Sequence, residues 1–182
     1  MLNKKIQLVK ESYYDNNNVQ DYLEKCELDL ELPEQIENFC NENAIKLNED
    51  ENYVFPSKDW FISFDPYKKE NFEIEYTSQL TLSKLTKVYS LLHSFEVKNK
   101  EPNYMEPFLS NSRDEPYTKM QFDFDNNVVH YLKEIGYDRL LENEGNRKLE
   151  GLKFNNDVVL FGPDVTVDDL LFRDVLGVTP ED

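Results

Sequence analysis

From residue 72 the chain alternates: Phe72, Ile74 and Tyr76 are separated by Glu73 and Glu75, and Leu80 and Leu82 flank Thr81. A period of two is what a β-strand with one buried and one wet face requires. This places Phe72, Ile74 and Tyr76 on the inward side. Two neighbouring runs have the same β-branched and aromatic character, Tyr53-Val-Phe55 and Trp60-Phe-Ile-Ser-Phe64, with Pro56 and Pro66-Tyr-Lys-Lys69 as punctuation. A sheet of short strands therefore occupies the middle of the chain.

Helical signals surround it. Residues 4–14 fit a strand or the first turns of a helix, and Asn16 to Asn18 break that element. Val19 to Cys26 read as a short helix with Val19, Tyr22, Leu23 and Cys26 on one face. Pro33 suits the first turn of a second helix, whose apolar stripe is Ile36, Phe39 and Cys40. Leu85, Val88, Tyr89 and Leu92 predict a helix from Ser83 to about Ser94, followed by a strand at Phe95-Glu-Val-Lys98. Val128, Leu132 and Ile135 mark another helix from about Lys119 to Leu141. Near the end come a strand at Val158-Val-Leu-Phe161, a Gly162-Pro163-Asp164 turn and a helix opened by a Thr166/Asp169 capping box and closed by Gly177. The expectation is one α+β domain over 1–182, a mixed or antiparallel sheet with several packed helices.

The stretch 98–117 carries Pro102, Pro107 and Pro116 without periodicity and reads as a long loop, a kind that is usually functional or disordered. The net charge is −17, distributed as −8 over 1–60, −3 over 61–154 and −6 over 155–182. Twelve Phe and eleven Tyr exclude a disordered acidic chain. The N-terminal lysines precede no apolar run and no stretch is long enough to span a bilayer, so a cytoplasmic chain without a membrane role is expected. Cys26 and Cys40 are expected to be free thiols.

Few residues point to chemistry. His93 and His130 stand alone, and Cys26 and Cys40 have acidic or amide neighbours that do not activate a thiol. Asp123, Asp125, Asn127 and Glu134 fall at positions 1, 3, 5 and 12 of a calcium-loop spacing, but Val128 stands where that loop needs glycine. They are weak metal candidates, and no cofactor is expected. No Gly-rich phosphate loop, Gly-x-Ser-x-Gly elbow, His-Glu-x-x-His or Cys-x-x-Cys is present.

Leu32-Pro-Glu-Gln-Ile-Glu-Asn-Phe39, followed by short strands and Trp60, resembles the opening of SUKH-type bacterial immunity proteins over about a sixth of the chain. Asn41-Glu-Asn43 replaces the glycine-containing turn usual after that helix. Charge and motifs together give the expectation of a protein-binding module, an immunity or inhibitor protein that neutralises a basic toxin or enzyme stoichiometrically. Its expected contacts are Tyr104, Met105, Glu106 and Phe108 of the loop, with Glu49, Asp50 and Glu51. The other readings are a small enzyme with a carboxylate or metal site, and a nucleic-acid mimic. Nucleic acid itself is not an expected partner of so acidic a surface.

Overall fold

A computed structural model describes residues 1–50, 55–101, 109–154 and 164–179. The chain opens with helix α1 (Leu2–Val9), which runs on through a π-helical stretch, Lys10–Asp15. Helices α2 (Val19–Cys26) and α3 (Glu34–Glu42) follow, with Pro33 as the cap residue just before α3. The left-handed Asn17 (φ 51°) lies in the break between the first two, a conformation Asn tolerates better than most residues.

The sheet comprises β1 (Lys46–Glu49), β2 (Ser57–Ser63), β3 (Tyr67–Lys69), β4 (Phe72–Ser83), β5 (Val88–Asn99), β6 (Leu109–Arg113) and β7 (Asp138–Arg139). Its spatial order is β1-β2-β4-β5-β6, all antiparallel; β3 pairs with the start of β4, and β7 runs parallel to the start of β5. Helix α4 (Lys119–Glu134), the short α5 (Glu142–Gly145), the hairpin of β8 (Lys148–Lys153) with β9 (Asp164–Thr166), and α6 (Val167–Phe172) complete the α+β fold.

Two hydrophobic clusters hold it together. On one face of the sheet, Trp60, Ile62, Leu80, Leu82, Tyr89 and Leu91 pack against α3 and α4 through Ile36, Cys40, Phe124, Val128 and Leu132. The Phe124 ring is met by Phe39 at 6.3 Å and edge-on by Phe64 at 5.9 Å. The second cluster joins α1, the π-helical stretch, α2 and α6 to Leu85, Val88 and Leu140. It is tied to the sheet by Ser57 and Ser83, whose hydroxyls donate to the carbonyls of Phe172 and Leu171. Cys26 and Cys40 are buried free thiols, one in each cluster.

Five readings change. The helix predicted from Lys119 to Leu141 stops at Glu134: Gly136 takes a positive φ of 89°, and Asp138–Arg139 form β7 beside β5. The helix predicted from Ser83 is absent: residues 84–87 turn, and Val88 opens a strand that runs through Phe95 to Asn99. Eleven residue pairs with β4 outweigh the helical spacing. The loop predicted over 98–117 contains β6, whose polar Leu-Ser-Asn-Ser-Arg sequence is strand only because β5 offers it an edge. At the start of β4 the faces are partly inverted. Phe72 is exposed and Glu73 is buried, held between Lys68 (3.0 Å) and Lys100. Those two lysines hold the Glu73 carboxyl below its ordinary value. Finally α6 stops at Phe172, and Gly177 takes its positive φ of 62° in a later turn, beyond the helix end that it was expected to form. The Thr166/Asp169 capping box is present, and α4 has one not anticipated, Thr118 with Gln121. Tyr53, Val54, Val158 to Phe161, Gly162 and Pro163 lie outside the described residues.

Candidate binding surface

Cross-strand register builds a row of apolar side chains across four strands. Tyr67 of β3 pairs with Ile74 of β4, Ile74 with Val97 of β5, and Val97 with Leu109 of β6. Because side chains alternate, this row lies on the same face as Leu80 and Leu91, the face that α4 covers further along. Cover by described residues stops one row earlier. There Tyr117, just before α4, packs edge-on against Phe95 at 4.8 Å, and the Arg113 guanidinium lies 4.2 Å from the Tyr117 ring centre. Beyond it Tyr67 is 53% exposed, Leu109 60% and Phe72 51%, while Ile74 and Val97 are half-buried. Beside the row, Ile45, Phe64, Tyr67, Tyr76 and Met120 line a groove of about 320 Å³.

The opposite face of the same strands carries charge. Lys98 donates to Glu75 at 2.7 Å and lies 3.7 Å from Glu96. Strands β2 to β6, over residues 57–101 and 109–113, hold eight basic and seven acidic groups, a net of +1 in a chain of net −17. The apolar row thus sits on a nearly neutral part of a strongly acidic molecule.

A second feature is the gap between β6 and β7, which lie end to end along β5. Arg139 fills it. One guanidinium nitrogen donates to the Asp125 carboxylate at 2.8 and 3.1 Å; the other donates to the carbonyls of Leu91 (3.1 Å) and Asp114 (3.0 Å). Leu91 belongs to the part of β5 that neither edge strand reaches, so a side chain satisfies its carbonyl. Behind Asp125 stands His93, fully buried, its Nε2 3.5 Å from Asp125 Oδ2 and its Nδ1 2.7 Å from Ser78 Oγ. Burial pushes the Asp125 carboxyl up, but His93 and Arg139 outweigh it and hold the group below its ordinary value. Asp114, Glu115, Arg139, Leu141 and Glu142 border a cleft of about 620 Å³ here. Ser78 is only 2% exposed, so the Ser78–His93–Asp125 series holds α4 on the sheet and offers no hydroxyl to a substrate.

Of the residues proposed from sequence, the metal candidates do not converge, and the partner-binding set is described only at Glu49 and Asp50. Glu49 and Asp50 lie at the opposite edge of the sheet from β6, and Glu49 is 3.3 Å from Lys58 Nζ. Tyr104, Met105, Glu106, Phe108 and Glu51 lie outside the described residues; Leu109 and Glu101 flank the first four. Asp123, Asp125, Asn127 and Glu134 are strung along α4, the ends roughly 16 Å apart at helical rise, and Asp125 is committed to Arg139. Among the described residues no three His, Cys, Asp or Glu converge as metal ligands, and no helix is long and apolar enough to cross a membrane. Arg139 escaped the sequence reading, because its partners lie 14 to 48 residues away and no motif links them. Comparison of the chain with protein families, curated proteins and solved structures finds no match.

Proposed function

We propose that the chain is a protein-binding module and, more narrowly, that it captures a basic protein stoichiometrically, as an immunity or inhibitor protein does. The observation that carries the reading is the row Tyr67–Ile74–Val97–Leu109, exposed at both ends and half-buried in the middle, with exposed Phe72 beside it. Aromatic and aliphatic side chains left uncovered in contiguous register are the usual material of a desolvated binding hot spot. The net charge of −17 supports the choice of a basic partner, since such a field accelerates encounter with cations and repels polyanions.

The test is capture from a lysate of the protein's own source, at low and at moderate salt, with the wild type and the triple variant Tyr67→Ala, Phe72→Ala, Leu109→Ala as baits. Wild type should retain one basic protein in near-equal amount, and the variant should lower that recovery at least about tenfold. Equal recovery by both baits would remove the row from the interface. Recovery of the bait alone would end the binder reading.

A further inference from the structure

Among the described residues strand β6 is an edge of the sheet, and all five of its residues, Leu109 to Arg113, are exposed. Protein edges are normally guarded against strand addition by inward charges, proline, bulges or a covering element. Within β6 there is no proline and the register with β5 is unbroken; its one charge, Arg113, stands at the C-terminal end and is turned onto Tyr117, which leaves Leu109 to Ser112 without a charge. It is also free of carboxylates in a chain with 37 Asp and Glu, whereas the other edge, β1, ends in Glu49.

We propose that β6 pairs antiparallel with β6 of a second copy of this chain, joining two sheets edge to edge about a two-fold axis. Centred on Asn111, that pairing sets Asn111 against itself, Ser110 against Ser112 and Leu109 against Arg113 of the second copy. Two chains of net −17 repel each other, and this edge lets them meet without opposing one carboxylate to another. Like any two-fold contact it is self-complementary and closes at two copies. The axis stands perpendicular to the sheet, so both apolar rows end on one face of the dimer. A partner would then meet two copies of the row, but the pairing itself does not depend on any partner.

Light scattering on the purified chain across roughly 1–200 µM tests it. Wild type should reach twice 21.7 kDa at the upper end. The double variant Ser110→Asp, Ser112→Asp, which faces carboxylates across the joint, should remain at 21.7 kDa with an unchanged circular dichroism spectrum. Asn48→Asp, on the opposite edge, should dimerise like wild type. A wild type of single-chain mass throughout would overturn the proposal. So would a double variant that still dimerises, or loss of the dimer in Asn48→Asp.

Discussion

Replacing Arg139 with alanine should cost about 3–5 kcal/mol of stability, read as a lowered urea midpoint by circular dichroism. The guanidinium leaves behind a largely buried carboxylate on Asp125 and two carbonyls, Leu91 and Asp114, that have lost a donor. An uncompensated charge in that setting costs more than the ion pair contributes, which is why deletion of one partner is severe. The variant Asp125→Leu, Arg139→Met should recover part of the loss by removing both charges together. Asp125→Asn should be destabilised near neutral pH, with a deficit that narrows on acidification. The Asp125 carboxyl titrates below its ordinary 3.8, so its contribution is present above that pH and is lost as pH falls through the depressed value. A loss under about 1 kcal/mol for Arg139→Ala would mean that the gap between β6 and β7 holds itself together without the clamp.

Phe124→Ala should be comparably damaging, about 3–5 kcal/mol. The ring has no exposed surface and packs among Phe39, Phe64 and the sheet face. Neighbouring elements α3 and α4 are fixed to one another and to the sheet, so little collapse into the vacated volume is available. Phe122→Ala, two residues away and 54% exposed, provides the control and should shift the midpoint by less than about 0.5 kcal/mol. Equal effects would place the α4 contact on the wrong side of the helix.

Much of this architecture can be read from the chain, and the misreadings have a common cause. Period two identified β4, and the capping signals located α6 because Thr166 and Asp169 are local to each other. The strand β5 was mistaken for a helix because it carries apolar residues on both faces: Val88 belongs to one hydrophobic cluster, and Tyr89 and Leu91 to the other. Two-sided apolarity imitates a period of 3.6, and only the pairing partner decides between them. The candidate surface was not legible in the sequence, where Ile74 reads as an inward strand residue and Tyr67 as part of a turn. Tyr67, Ile74, Val97 and Leu109 are spread over 43 positions and meet only through three strand registers. Asp125 was singled out for a calcium-loop spacing, while its actual partner, Arg139, lay beyond any local pattern.

The two cysteines give the molecule a pair of internal clocks. Cys26 lies in the cluster built by the N-terminal helices and α6, and Cys40 in the one between α3, α4 and the sheet. Burial pushes their thiols up to about 12 and about 11, so both are inert to alkylating reagents while enclosed. Each becomes reactive only when its own cluster opens. Following modification of the two sites by mass therefore times the opening of each half of the molecule separately, with no engineered probe, and tells whether the fold comes apart in one step or in two.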